Sequence, residues 1–399
     1  MNLHLEDQIN IIKNNTLDLI TEEDLLNKLQ KKKKLKVKLG VDPSRPDLHL
    51  GHAVVLRKLR QFQEFGHIVY LIIGDFTARI GDPSGRTKTR PMLSEKEVKE
   101  NAETYVEQAF KILEPQKTII KFNSEWLSKL TFADIINLTS RYTVARMLER
   151  DDFSKRLREN EPITIAEFLY PIAQAYDSIF IEADVEIGGT DQLFNLLVGR
   201  KLQEEFGQEP QVVMTMPLIE GTDGHLKMSK SYDNYIAFND TPENVFGKVM
   251  SIPDHLIIKY MCYLTDIPME KIKEYEEKMK NMEINPRDVK MILAEEIVSL
   301  LYNKEEAKKA KETFISIFQK RDMSIDLPEI EVTEGESILD IVSKTKVYDS
   351  NSEIKRAIKQ GAIKIDEEKI EDFKNVPNFK EGAILKVGKK NFFRIKKAK

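Results

Sequence analysis

The chain has 399 residues, of which 41% are hydrophobic and 32% are charged, a composition typical of a soluble globular protein. No apolar run reaches about 18 residues, so we expect no membrane helix and no membrane partner. The single cysteine, Cys262, excludes an internal disulfide and a multi-cysteine metal site, so a reducing, cytoplasmic location is expected. A chain of this length exceeds the usual span of one hydrophobic core, which predicts two or three domains.

The first part of the chain alternates between strand-like and helical segments. The run LKVKLGVD predicts a strand, and a helix follows from about Leu50. The next segment, HIVYLIIGD, is apolar throughout, as expected of a parallel strand that is buried on both faces. The alternation continues to about Phe180 and predicts an α/β fold with a doubly wound parallel sheet over residues 1–235.

The remaining residues change character twice. Residues 236–325 show helical periodicity and almost no strand signal, which predicts an α-helical domain. The acidic stretch 326–334 is interpreted as a linker. Residues 335–399 combine a short helix, SEIKRAIKQ, with two or three short β segments, which predicts a small α+β domain.

Charge is distributed unevenly along the chain. Residues 335–399 contain 16 Lys and Arg against 10 Asp and Glu, a net charge of +6, whereas the whole chain carries −4. The first 334 residues therefore carry −10. A basic tail on an acidic body is typical of proteins that bind polyanions, although a solvated lysine-rich surface would give the same count.

A candidate phosphate site lies at the first strand-to-helix junction, where the sequence reads HLGH. His49 and His52 are three residues apart and would share one face of the first helical turn. Backbone N–H groups and the helix dipole favour an anion there, and Gly51 would let a nucleotide approach the backbone. A packed pair or a metal pair is the alternative. A zinc site would need a third ligand from another His/Cys cluster, which the sequence lacks, so no metal site is predicted.

A second motif, KMSKS at residues 227–231, follows a glycine-bearing turn. The two motifs, in this order, resemble the HIGH and KMSKS signatures of class I aminoacyl-tRNA synthetases. The intervening segments IGDPSGRTKTRP, LYPIAQAYD and EIGGTDQ resemble the substrate pocket of the tyrosyl branch of that family. The basic tail is similar to the small RNA-binding domain of its bacterial members, so the resemblance covers nearly the whole chain.

The resemblance implies an enzyme that activates L-tyrosine with ATP, releases pyrophosphate and transfers tyrosine to the terminal adenosine of tRNA(Tyr). It implies ATP with Mg²⁺ as a substrate, without a tightly bound cofactor, and a homodimer with residues 139–158 as a candidate interface. It also implies that residues 236–325 form an anticodon-region domain. A tryptophanyl enzyme is one alternative, because an indole N–H also needs an acceptor. An inactive RNA-binding relative is the other.

Polar residues at helical spacing form the expected amino-acid pocket. Tyr170, Gln174 and Asp177 lie at i, i+4 and i+7, so one helix face presents all three. Polar groups on one stripe are costly to bury without partners, which favours a ligand with an ammonium group and a phenol. By resemblance, Tyr170 and Gln174 bind the α-amino group, and Asp82 supplies its negative countercharge. Asp177 accepts a hydrogen bond from the phenolic hydroxyl. It also implies that Gln192 contacts the substrate.

Lys38 is a departure from the family pattern. Many tyrosyl enzymes carry at this position a tyrosine that shares the substrate hydroxyl. A lysine cannot accept a hydrogen bond, but it could donate one to the phenol oxygen. Lys38 is therefore included among the expected tyrosine contacts, and the second group at the hydroxyl stays open.

The nucleotide site is assigned by the same resemblance. Negative charge builds on the departing pyrophosphate, so positioning and cations carry the catalysis. The residues expected to act are Lys227 and Lys230 on a mobile loop, Arg86 and Arg90 from the opposite side, and His49 and His52. Either arginine could instead be a solvated surface charge. The residues expected to bind ATP are Gly40, Asp42, His49, Gly51, His52, Gly189, Asp191, Lys227, Met228, Ser229 and Lys230.

Overall fold

The computed structural model describes residues 5–43, 47–84, 94–318, 327–333, 335–348, 350–366, 368–370, 372–373, 376–377, 379–380, 382–388 and 391–397. The chain forms two compact units, Met1–Lys311 and Glu312–Lys399. No helix among the described residues is both long enough and apolar enough to cross a membrane.

The strands are β1 (Asp18–Ile20), β2 (Lys36–Val41), β3 (Ile68–Ile73), β4 (Thr118–Phe122), β5 (Val185–Gly189), β6 (Val212–Met216), β7 (Glu329–Val332), β8 (Ile363–Ile365), β9 (Glu368–Lys369), β10 (Ile384–Val387) and β11 (Asn391–Lys397). The helices are α1 (Leu5–Lys13), α2 (Glu22–Lys31), α3 (Leu50–Glu64), α4 (Thr77–Ile80), α5 (Glu95–Ala109), α6 (Ser124–Leu127), α7 (Phe132–Thr139), α8 (Val144–Met147), α9 (Asp151–Arg158), α10 (Ile165–Ile181), α11 (Leu193–Glu205), α12 (Pro242–Met250), α13 (Ile257–Leu264), α14 (Met269–Lys280), α15 (Pro286–Leu301), α16 (Lys304–Phe318), α17 (Ile338–Lys344) and α18 (Asn351–Lys359).

The first unit is built on a six-stranded sheet with the order β1-β6-β5-β2-β3-β4. Neighbouring strands are parallel except β1, an unpredicted edge strand that runs antiparallel to β6. From β2 the chain winds outward to β3 and β4, and then returns to the other side of β2 through β5 and β6. In such sheets ligands bind outside the carboxyl ends of the strands at the point of reversal. The predicted doubly wound α/β fold is confirmed, and this topology places a crevice between β2 and β5.

Helices α12 to α15 and most of α16 complete the first unit, which confirms the helical character predicted for this part of the chain. The side chains of Val289, Leu293 and Ile297 on α15 are fully buried, as expected of one apolar face at helical spacing. The assignment of residues 236–325 to a separate anticodon-region domain stays a prediction.

The second unit has its own five-stranded sheet, in the order β7-β11-β10-β8-β9, with helices α17 and α18. Its strands and helices enclose an apolar core of their own. The interpretation of 326–334 as a linker is wrong for β7, which pairs in parallel with β11. Ile330 and Val332 enter the core while Glu329 and Glu331 face outward, an alternation of only four residues that the acidic composition obscured.

Candidate active site

A cleft of about 330 Å³ opens at the carboxyl ends of β2 and β5, where the sheet topology places a ligand. Lys38 and Lys230 are outside its lining, and Arg86 and Arg90 lie outside the described residues. The structure brings all of the other predicted residues together around it. These residues are Gly40, Asp42, His49, Gly51, His52, Asp82, Tyr170, Gln174, Asp177, Gly189, Asp191, Gln192, Lys227, Met228 and Ser229.

His49 and His52 cap the start of α3 reciprocally. His49 Nδ1 accepts a hydrogen bond from the Gly51 N–H at 3.2 Å, and His52 Nδ1 accepts one from the His49 N–H at 3.1 Å. Burial lowers the pKa of His52 to about 4, and burial also holds the pKa of His49 well below its usual range, with smaller effects from His52, Lys230 and Lys227. Both rings are therefore neutral at neutral pH. An accepting Nδ1 carries no hydrogen, so each ring has its hydrogen on Nε2 as a donor.

Two glycines permit close approaches at this edge of the sheet. A Cβ on Gly51 would lie 2.9 Å from the His49 ring, so glycine lets that ring fold over the helix start. A Cβ on Gly74 would lie 2.0 Å from Asp42 Oδ1. Gly74 had no role in the sequence interpretation, because Asp42 lies 32 residues earlier in the chain and only the pairing of β2 with β3 brings the two together.

Asp42 is held by two hydroxyl donors. Thr77 Oγ1 donates to its Oδ1 at 2.7 Å, and the Tyr170 hydroxyl donates to its Oδ2 at 2.8 Å. Burial raises the pKa of Asp42 to about 7, an increase that the Thr77 hydrogen bond opposes and the nearby Asp82 reinforces. Because Tyr170 uses its hydrogen on Asp42, its phenolic oxygen faces a ligand as an acceptor, which suits an ammonium group.

Asp82 lies in a network that fixes its position. Its Oδ2 accepts from Gln192 Nε2 at 2.7 Å, and its Oδ1 accepts from the Ser84 N–H at 2.9 Å. Arg150, buried at the start of α9, donates to Ser84 Oγ at 2.7 Å and to Asn195 Oδ1 at 3.1 Å. Sequence reasoning missed Ser84, Arg150 and Asn195, which come from three separate segments without a shared motif.

Asp177 is only 3% exposed and forms part of the cleft wall. Trp126 Nε1 donates to its Oδ1 at 2.8 Å, and Asn123 Nδ2 donates to its Oδ2 at 3.3 Å. Burial raises the pKa of Asp177 to about 7, although the positive charge of Lys38 opposes the increase. The carboxylate keeps lone pairs for a further donor such as a phenolic hydroxyl. Asn123 also lines the cleft, and its place directly after β4 was the signal that could have found it.

Lys38 is fully buried and does not reach the cleft. Its Nζ lies 2.8 Å from Glu186 Oε1, and it donates to Ser178 Oγ at 2.8 Å and to the Gln174 main-chain oxygen at 3.1 Å. An ammonium group has three hydrogens, and these three acceptors take all of them. The prediction that Lys38 contacts the substrate hydroxyl is therefore wrong. Glu186, which the sequence interpretation missed, lines the cleft instead.

The KMSKS segment lies along the rim of the cleft. Lys227 Nζ is 3.4 Å from Asp191 Oδ2, and Lys230 Nζ is 3.3 Å from Asp47 Oδ2. Asp191 lines the cleft, and Asp47 precedes the His49 motif by two residues, so both lysines are held near the cleft. Partly exposed ion pairs of this kind are weak, and a multiply charged anion in the cleft would compete for both lysines.

Asn234 holds this segment in place through hydrogen bonds. It is 2% exposed, and its Oδ1 accepts from the Ser229 N–H at 2.8 Å. Its Nδ2 donates to Asp223 Oδ2 at 3.1 Å and lies 3.2 Å from the Lys227 main-chain oxygen. Asn234 therefore positions the backbone that carries the two lysines.

Asn234→Ala is expected to increase the rate of amide hydrogen exchange at Ser229 by roughly tenfold, since losing one buried acceptor costs about 1–3 kcal/mol locally. Hydrogen-exchange mass spectrometry of the peptide that contains residues 225–234 measures this rate. Asn244→Ala, at an exposed position on α12, is the matched control and should leave the rate unchanged. Equal exchange in the two variants would contradict the positioning role.

Comparisons with known proteins agree along nearly the whole chain. Residues 30–319 match the family model described as tRNA synthetases class I (W and Y), and residues 319–395 match the Tyrosine--tRNA ligase SYY-like C-terminal domain. The tyrosine–tRNA ligase of Thermotoga maritima is 64% identical over 390 residues, which cover 98% of this chain and 97% of that protein. The tyrosine–tRNA ligase of Aquifex aeolicus is 50% identical over 391 residues, which cover 98% of each chain.

A solved structure provides a separate comparison of the fold. The tyrosyl-tRNA synthetase complexed with L-tyrosine from Archaeoglobus fulgidus superposes with a TM-score of 0.64. The superposition covers 77% of this chain and 100% of that chain, at 23% sequence identity. At this identity the likeness shows a shared fold.

Proposed function

The chain belongs to the class I tRNA synthetases of the tryptophan and tyrosine type, and we infer that it is a tyrosine–tRNA ligase. It activates L-tyrosine with ATP, forming tyrosyl-adenylate and pyrophosphate, and then transfers tyrosine to tRNA. The observation that carries the choice of amino acid is the buried carboxylate of Asp177 in the cleft wall, on the same helix face as Tyr170 and Gln174. These side chains would satisfy a phenol at one end and an ammonium group at the other.

Acceptors surround the proposed position of the α-ammonium group. The Tyr170 oxygen, Gln174 Oε1 and the Asp82 carboxylate would accept its three hydrogens, which makes this end of the cleft selective for a cation. Asp177 would accept from the phenolic hydroxyl. Asn123, already bound to Asp177, is the residue we propose beside that hydroxyl in place of Lys38.

The first half-reaction requires no general base, because the tyrosine carboxylate is already an anion. One of its oxygens forms a bond to the α-phosphorus, and the bond from that phosphorus to the bridging oxygen breaks, so pyrophosphate leaves with the electron pair. Neutral His49 and His52 would donate their Nε2 hydrogens to phosphate oxygens. Lys227 and Lys230 would leave their ion pairs with Asp191 and Asp47 and bind the phosphates as negative charge builds there.

The other nucleotide contacts follow the cleft lining. Gly40 and Gly189 would allow the adenylate to lie close to the backbone, and Asp191 would bind the ribose hydroxyls. Magnesium would arrive with the triphosphate as part of the substrate and keep several of its waters. The roles of Arg86 and Arg90 stay predictions, as does a cytoplasmic location.

Amino-acid-dependent exchange of labelled pyrophosphate into ATP tests the proposed activity. Exchange with L-tyrosine, and none with tryptophan, is the expected result. Exchange with tryptophan alone would establish the tryptophanyl alternative. No exchange with any amino acid would favour an inactive RNA-binding relative.

The second unit is proposed to bind tRNA, since residues 335–399, which make up most of it, carry a net charge of +6 and the unit has its own core. Ending the chain after Phe318 is therefore expected to preserve tyrosine-dependent pyrophosphate exchange within about threefold and to abolish tRNA charging. The cut precedes β7, so it leaves no orphaned strand. Thermal unfolding of the truncated protein checks that the first unit is intact. Full charging by that protein would exclude an essential RNA-binding role for the second unit.

We propose a homodimer through an apolar surface on helices α7 to α10. Five large apolar side chains are exposed on these four helices, and exposed apolar surface of this kind favours an interface. They are Phe132 (80%), Ile136 (55%), Val144 (62%), Leu157 (55%) and Ile165 (78%). Sedimentation at micromolar concentration should give twice the chain mass, and Ile165→Asp should shift the protein toward the monomer. A monomeric parent protein would contradict this proposal.

A further inference from the structure

We propose that the buried pair Lys38–Glu186 orients the amide of Gln174, so that its oxygen faces the cleft and the site selects an α-ammonium group over an α-hydroxyl group. The inference rests on the proposed function, because Gln174 is there assigned to the amino group of tyrosine. Lys38 and Glu186 are thus positioning residues, and Glu186 acts through Gln174.

The orientation of the amide follows from its partner. Gln174 Nε2 lies 3.2 Å from Glu186 Oε1. A carboxylate only accepts hydrogen bonds, so the nitrogen end of the amide must face Glu186 and the oxygen end must face away from it. Gln174 Oε1 accepts no hydrogen bond from any residue that the structure describes, and Gln174 lines the cleft. The amide therefore offers a ligand an acceptor.

Glu186 is itself fixed from several sides. It lies directly opposite Lys38 on the paired strands β5 and β2, and both side chains are fully buried. Its Oε2 accepts from Ser178 Oγ at 3.0 Å and also from Gln211 Nε2. Gly199 on α11 leaves room for this network, since a Cβ there would lie 2.8 Å from Gln211 Nε2. A buried ion pair with its hydrogen bonds satisfied favours one arrangement over its alternatives.

The fixed orientation has a consequence for selectivity. An ammonium group has hydrogens and no lone pair, so it binds only to acceptors. If the amide of Gln174 turned over, its NH₂ group would face the ammonium group and repel it. A hydroxyl group both donates and accepts, so it would tolerate either orientation. By fixing the amide, Glu186 therefore favours the amino acid over the α-hydroxy acid of the same shape.

The double variant Lys38→Met/Glu186→Gln tests this assignment. A glutamine at 186 can pair with either end of the Gln174 amide, and removing Lys38 avoids leaving a buried charge without its partner. The measurement uses tyrosine-dependent pyrophosphate exchange, with 4-hydroxyphenyllactate as the competing α-hydroxy acid. The KM for tyrosine should rise about tenfold with kcat changed less than about threefold, because a hydrogen bond to a charged group is lost. The inhibition constant of the hydroxy acid should stay within about threefold.

A matched control is the buried pair Arg156–Glu167, at 2% and 6% side-chain exposure, in which Glu167 lies on the same helix α10 and outside the cleft lining. Arg156→Met/Glu167→Gln should leave the ratio of tyrosine KM to hydroxy-acid inhibition constant unchanged. An equal change of both constants in the Lys38/Glu186 variant would overturn the inference and leave only a structural role.

Two further results separate this inference from the proposed function. If the double variant does not fold, the affinities of the unmodified enzyme for tyrosine and for the hydroxy acid still test the inference. Equal affinity of the unmodified enzyme for tyrosine and for the hydroxy acid overturns the inference. Absence of tyrosine-dependent exchange in the unmodified enzyme would instead overturn the proposed function.

Discussion

Lys230→Ala is expected to slow the formation of tyrosyl-adenylate by about 10²-fold or more, the usual effect of removing one group that stabilises charge in a transition state. The side chain is only 11% exposed, and its Nζ lies 3.3 Å from Asp47, close to the histidine motif. It has no part in the amino-acid pocket, so the affinity for tyrosine should stay within about twofold. Single-turnover kinetics and equilibrium dialysis measure the two quantities separately.

The control for this variant is Lys248→Ala. Lys248 is 28% exposed and pairs with Asp240 at 2.6 Å, outside the cleft lining, so its removal should leave the rate nearly unchanged. If Lys230→Ala lost rate and tyrosine affinity in parallel, the cause would be damage to the fold. An unchanged rate would show that Lys230 does not act on the phosphates.

The parts of the site that sequence reasoning found depend on short-range geometry. The helical period alone places Tyr170, Gln174 and Asp177 on one face, and α10 carries them there. The HLGH motif predicted a shared face at a helix start, and α3 begins there with His49 as its cap. Such features need only the local conformation to be right.

The features that sequence reasoning missed depend on strand order. Lys38 and Glu186 are 148 positions apart, and only the pairing of β2 with β5 brings them together. Lys38 was therefore expected at the substrate hydroxyl, where related enzymes carry a tyrosine, whereas it is half of a buried ion pair. The reciprocal hydrogen bonds of His49 and His52 were missed for another reason, because rotamers decide which ring nitrogen accepts.

Asp177→Ala is expected to reduce the preference for tyrosine over phenylalanine, measured as the ratio of their kcat/KM values in pyrophosphate exchange. A hydrogen bond to a charged group contributes about 1.5–3 kcal/mol, which corresponds to a loss of roughly 10- to 150-fold in that ratio. Phenylalanine itself should bind no worse, because it leaves the Asp177 carboxylate without the hydroxyl partner. Asp184→Ala removes another buried aspartate outside the cleft and should leave the ratio unchanged.

The pH dependence of the same ratio identifies the group that acts. Burial raises the pKa of Asp177 to about 7, so the unliganded enzyme holds a carboxylate above that pH and a carboxylic acid below it. Only the carboxylate is a full acceptor for the phenolic hydrogen, so the KM for tyrosine should rise as the pH falls from 8 to 6. Asp42, whose pKa is also raised to about 7, titrates in the same range but faces the amino end. Titration of Asp42 should therefore affect tyrosine and phenylalanine equally. The pH dependence of their kcat/KM ratio should then vanish in Asp177→Ala. A ratio that keeps its pH dependence in that variant would assign the choice of amino acid to another group.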